Sequence, residues 1–147
     1  MARVYRSALI HATADRVWNL IRNFDGLPQW HPAIEASEIE AGLAADQVGC
    51  VRRFRLRSGG GLLRERLLAL SDRERILTYS ILESPMPVVN YVATMRISPV
   101  TMGNEAFAEW WAEFDVTSGT EQEMISHIGD NVFLVGLDAV NRQLSHP

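Results

Sequence analysis

The chain has no lysine; all fourteen of its basic side chains, over 147 residues, are arginine. Schiff-base chemistry through a side-chain amine is therefore excluded. A phosphate-binding P-loop is excluded too, because the glycine-rich SGGGL at 58–62 is not followed by Lys-Ser/Thr. There is one cysteine, Cys50, so no internal disulfide can form. That fits a reducing compartment, and a cytoplasmic location is the expectation. No apolar run approaches the roughly 20 residues needed to cross a bilayer. The opening MARVYRSALIHAT lacks a basic region followed by a long apolar core, so neither a membrane span nor a signal peptide is expected. The four histidines, at 11, 31, 127 and 146, show no H-x-x-x-H spacing and have no cysteine partner set. No metal site is expected, and no cofactor motif is present. A formal charge of −4 argues against nucleic acid as a main partner, since phosphate-backbone binding needs clustered cations.

What the chain does have suits one core. It is 47% hydrophobic and shows no repeat, linker or low-complexity tract, so a single domain over 1–147 is expected. RVYRSALIH (3–11) reads as a strand. TADRVWNLIRN (13–23) has Thr13 as an N-cap candidate and Val17, Trp18, Leu20, Ile21 and Phe24 at helical spacing. FDGLPQWHP (24–32) follows, three large apolar residues set among turn-formers. Strands are then predicted over 34–40, 48–57, 62–71, 75–83, 89–98 and 105–116. The last is the clearest. Ala106, Ala108, Trp110, Ala112 and Phe114 share one face, while Glu105, Glu109 and Glu113 share the other with Phe107 and Trp111. From about 121 to 144 the period becomes helical, with a stripe of Ile125, Ile128, Val132, Val135, Gly136, Ala139, Val140 and Leu144. About seven antiparallel strands and one long helix predict an α+β domain. If the sheet curls around that helix, the part of its apolar face the helix leaves bare becomes a pocket.

IHATADRVWNLIRNFDGLPQWHP, VGCVRRFRLRSGGGL, ERLLALSDRERILTYSI and NYVAT, in this order, resemble the START/SRPBCC superfamily. Its polyketide cyclase/dehydrase-like proteins and the plant abscisic acid receptors are the most similar branches. The resemblance implies a helix-grip fold, a curled antiparallel sheet around a long C-terminal helix, with two short helical segments after the first strand. It also implies an internal cavity for an apolar small molecule. The positions resembling ligand contacts are Leu56, Glu65, Tyr79, Ile81, Tyr91 and Ala93 on the strands, with Trp110 on the last of them. Val132, Gly136 and Val140 join them from the helix, where Gly136 would leave room opposite a ligand. Glu35 falls where the receptors carry a lysine for the hormone's carboxylate, so abscisic acid itself does not fit. The receptors' gating loop corresponds to the shorter SGGGL, and their latch to MPV (86–88). FDGLPQWHP then becomes a cavity wall, with Phe24 and Trp30 wedged against the long helix and His31 at the rim.

Glu65 shares a strand face with Leu63 and Leu67, so the pattern buries a carboxylate, and desolvation would raise its pKa. It is the candidate general base, with Tyr79 or Tyr91 as the donor that stabilises an enolate or holds a carbonyl. The alternative is a structural glutamate paired with Arg64, Arg66 or a neighbouring strand, beside two core tyrosines. Arg53, Arg55 and Arg57 with Arg64 and Arg66 read as a solvated outer face balanced by acids. Trp111 reads as an exposed patch or a homodimer contact. The expected function is binding of a lipid, polyketide or aromatic molecule as carrier or sensor. The alternatives are a cyclase/dehydratase-like enzyme and an accessory protein with a filled cavity.

Overall fold

A computed structural model describes residues 1–145, so His146 lies outside it. Seven strands, β1 (Ala2–Ile10), β2 (Ile34–Ile39), β3 (Val51–Leu56), β4 (Leu62–Ser71), β5 (Ile76–Glu83), β6 (Val88–Val100) and β7 (Glu105–Val116), form one antiparallel sheet. Its order is β1-β7-β6-β5-β4-β3-β2, so every neighbour except the β1–β7 pair is also a sequence neighbour. On β7 the two-residue alternation is realised in full: Ala106, Ala108, Trp110, Ala112 and Phe114 are each at most 2% exposed. Register shifts at Ile34/Ala36, Arg64/Glu65, Leu67/Ala69 and Val89/Val92 interrupt the ladders. Each such irregularity bends a strand and adds twist, which lets the sheet curl.

Two short helices follow β1. In α1 (Ala14–Ile21) the Thr13 hydroxyl accepts from the Arg16 N–H at 3.3 Å, and Ala14, Val17, Trp18 and Ile21 are buried. The single turn α2 (Leu27–Trp30) begins after Gly26 and carries Pro28 in its first turn, where no intrahelical N–H is lost. On the outer side of the sheet the arginines find acids: Arg55 with Glu35 (2.8 Å), Arg53 with Glu38 (3.8 Å) and Arg64 with Glu40 (2.6 Å). Trp111 is half-buried there, with Arg96 5.3 Å from its ring and Tyr5 stacked at 6.3 Å.

The long helix departs from the expected phase. It starts at α3 (Glu121–Ser126), where the Thr120 hydroxyl accepts from the Glu123 N–H, and passes through a π-helical stretch (His127–Leu134). It ends as α4 (Val135–Leu144). A π turn holds one extra residue, so it rotates everything beyond it relative to a 3.6-residue stripe. The buried positions are Ile128, Gly129, Phe133, Gly136, Leu137 and Val140, whereas Val132, Val135 and Ala139 are only half-buried. Phe133 and Leu137, absent from the expected stripe, are fully buried. A methyl on Gly129 would lie 2.4 Å from the Arg6 guanidinium, the far end of a flexible side chain that would have to shift. That guanidinium crosses the helix to reach Asp130 at 3.2 Å. Among the described residues, no helix is long and apolar enough to cross a membrane.

Candidate functional site

Between the curled sheet and the long helix lies a cavity of about 110 Å³. Strands β3 to β7 supply most of its wall, with Leu27 and His31 closing one side and Val132 reaching in from the helix. Its outer end is marked by lining residues that are themselves exposed or half-exposed, Pro85, Met86, Leu56 and His127. The glycine-rich loop meets the β5–β6 turn here. Gly61, at φ +109°, lies so close that a methyl on it would be 3.2 Å from Pro85.

The inner end holds an ion pair. Arg52 and Glu65 face each other in the β3–β4 register, and both are almost fully buried. The Arg52 Nε and Nη2 groups both donate to Glu65 Oε1, at 2.9 and 2.7 Å, while Nη1 donates to the Phe24 carbonyl at 3.1 Å. The guanidinium also lies 3.9 Å from the Phe24 ring centre and 4.8 Å from that of Tyr79. Both Arg52 contacts fall on Oε1, and no hydrogen bond to Glu65 Oε2 is formed among the described residues. Burial pushes the Glu65 carboxyl above its ordinary range, and the Arg52 guanidinium opposes that rise.

Two tyrosines join this pair. The Trp110 indole N–H donates to the Tyr79 hydroxyl at 3.0 Å, so Tyr79 still has its own proton to give. Tyr91 stacks on Phe114 at 5.7 Å, and its hydroxyl has no hydrogen-bond partner among the described residues. Burial holds both phenols above their ordinary range, helped by the nearby Glu65 charge. Both phenols therefore stay protonated at neutral pH, each with an O–H that can donate.

Seven of the residues singled out in the sequence, Leu56, Glu65, Tyr79, Ile81, Tyr91, Trp110 and Val132, come together on this wall. Five do not. Glu35 points outward and pairs with Arg55, because the irregularity at Ile34/Ala36 breaks the alternation that would have turned it inward. Gly136 opens no space for a ligand. A methyl on it would meet His31 at 2.8 Å, Trp110 at 3.0 Å and Trp30 at 3.1 Å, so aromatic rings already occupy its surroundings. Trp30, Ala93 and Val140 are buried in the core behind the wall. Trp30 does lie against the long helix, 3.1 Å from a methyl placed on Gly136, and Phe24 packs on Arg52 and Tyr79.

His31, expected at the rim, is 3% exposed and lines the cavity. Its Nε2–H donates to the Val132 carbonyl at 2.8 Å, and Nδ1 accepts from the Ala33 N–H at 3.2 Å. Those two partners fix a neutral tautomer, and burial lowers its pKa below the ordinary value of 6.5. Arg52 was missed, although a signal for it exists. It shares strand parity with Phe54 and Leu56, opposite to Arg53, Arg55 and Arg57.

A curled seven-stranded sheet gripping a long C-terminal helix over an interior cavity is the helix-grip architecture of the START/SRPBCC superfamily. Within it the chain belongs to the polyketide cyclase / dehydrase and lipid transport family, whose model matches residues 1–141. The protein XoxI from Bacillus cereus is 32% identical with a TM-score of 0.89, over 99% of this chain and 97% of that one. The abscisic acid receptor PYL7 of Arabidopsis thaliana is 29% identical over 92 residues. That stretch is 61% of this chain but only 42% of the receptor. The Zhui aromatase/cyclase from Streptomyces sp. R1128, at 18% identity, shares the fold, with a TM-score of 0.79 over 97% of this chain and 92% of its own. Family membership places the chain among proteins that handle polyketide- or lipid-type molecules.

Proposed function

We propose that this protein binds an apolar small molecule of the lipid, polyketide or aromatic kind in its internal cavity, as a carrier or sensor. The observation that carries the reading is the convergence of a few polar groups, Glu65 and the Tyr79 and Tyr91 hydroxyls, on an otherwise apolar cavity wall. A few converging polar groups in an apolar pocket are the usual composition of a small-molecule site. Native mass spectrometry of the purified protein, with identification of what co-purifies, tests this. A bound small molecule is expected, and Ile81→Phe, which thickens the cavity wall, should weaken its retention. An unliganded protein that also fails to take up apolar probes overturns the reading.

One observation favours a second reading, a cyclase/dehydratase-like enzyme with Glu65 as base and Tyr79 or Tyr91 as donor. Burial holds the Glu65 carboxyl above its ordinary range, the direction that favours a general base. Against it stands Arg52, whose contacts with Oε1 stabilise the ionised form as a structural pair. Glu65→Gln decides the matter once a substrate is known: retained turnover removes the base role.

A further inference from the structure

We infer that the cavity takes an uncharged, ring-sized molecule bearing a hydroxyl group, a phenol or compact alcohol whose O–H donates to Glu65 Oε2 and whose oxygen accepts from Tyr91. This rests on the reading of the cavity as a ligand site and narrows its ligand class.

Three features carry it. The first is size. An engineered apolar cavity of about 150 Å³ holds benzene, and ligand pockets for drug-sized molecules run from about 300 Å³. At about 110 Å³ the cavity is on the scale of one compact ring and well below that of a drug-sized pocket. The second is charge. Arg52 and Glu65 neutralise each other within hydrogen-bond distance, and Arg52 is further held by the Phe24 carbonyl. A carboxylate ligand would therefore face Glu65 without a free cation, and an ammonium ligand would face Arg52. Either would lose its hydration in an apolar cavity without a compensating partner.

The third is the hydrogen-bond inventory. Glu65 Oε2 can only accept while ionised, whereas the Tyr91 hydroxyl is free to donate. A ketone satisfies the tyrosine alone. A hydroxyl, being donor and acceptor at once, satisfies both. Tyr79 adds a second donor at the same end, since its oxygen already accepts from Trp110.

Phenol and toluene, which differ by exchange of a hydroxyl for a methyl, test this in an NMR titration read at the Trp110 indole N–H. Benzoate and benzylammonium serve as charged probes. Phenol is expected to bind about tenfold or more tighter than toluene, the usual worth of a hydrogen bond to a charged group. It should also outcompete both charged probes. Tyr91→Phe, which keeps the ring and its stacking on Phe114, should shrink the phenol advantage; Glu65→Gln should do so if it folds. Equal affinity for phenol and toluene overturns the hydroxyl assignment and leaves cavity binding standing. Tighter binding of benzoate or benzylammonium overturns the uncharged class. Binding of none of the four overturns both this inference and the reading beneath it.

Discussion

Replacing Arg52 with methionine would keep most of the side-chain volume and delete the charge that faces Glu65. Both partners of this pair are only 6% exposed at the side chain, so water cannot take the place of the guanidinium. Removing one partner of a buried pair costs about 3–5 kcal/mol, because the other charge is left uncompensated. For a domain of this length that corresponds to a loss of about 6–20 °C in Tm. The cost has a pH signature. With Arg52 gone, nothing opposes the effect of burial on Glu65, and its folded pKa rises further above the unfolded value. A group raised on folding contributes stability that is complete below the unfolded pKa, about 4.3 for glutamate, and lost as pH rises through the folded one. The variant should therefore lie closer to the wild type at pH 5 than at pH 8. Urea unfolding of both proteins at the two pH values measures this, and Arg52→Met/Glu65→Leu should recover much of the loss at pH 8. A single variant within about 1 kcal/mol of wild type, with the same deficit at both pH values, would refute the reasoning.

Gly136→Ala should lower stability by about 1 kcal/mol, since overpacking costs about 1–3 kcal/mol against a helix-propensity gain of about 1. The added methyl meets three rings that pack on one another, Trp30 and Trp110 at 6.0 Å and His31 near both, so none can retreat cheaply. A gain in urea midpoint would contradict that packing. For His31, imidazole NMR should show titration below 6.5, the ordinary value from which burial lowers it. The sign follows: below 6.5 the unfolded chain takes up a proton that the native ring refuses, so stability is present above that pH and drawn down as pH falls through the folded value. Titration at or above 6.5 would remove His31 from its neutral bridge between Ala33 and Val132.

Strand parity and turn chemistry are local, and they were legible without coordinates. The alternation on β7 and the Thr13 cap place Trp110 and α1 directly, because a period of two or of 3.6 residues is set by the backbone alone. The inward faces of Glu65 and Tyr79 follow the same rule. What the sequence could not carry was any interruption of those periods. One irregular residue pair at the start of β2 turns Glu35 from the cavity to solvent. Through the π-helical stretch and α4, Ile128, Gly136 and Val140 of the expected stripe stay buried, Val132, Val135 and Ala139 are only half-buried, and Phe133 and Leu137 join the core, with Phe133 stacked on Trp110 at 4.4 Å. Neither interruption leaves a mark in the short-range periodicity of the sequence.

By itself, then, the amino-acid order determined the elements, their faces and the family pattern, because each is written in short-range periodicity. Only the tertiary structure decided which side chains share the cavity and how they pair. Arg52 is followed by Arg53, Arg55 and Arg57, yet its partner lies thirteen residues away across a ladder. Pairing across a sheet is fixed by register and burial, and a carboxylate in an apolar wall must find its countercharge wherever the fold brings one. The same holds for FDGLPQWHP, whose Phe24 and His31 acquired their roles from residues 28 and 101 positions distant.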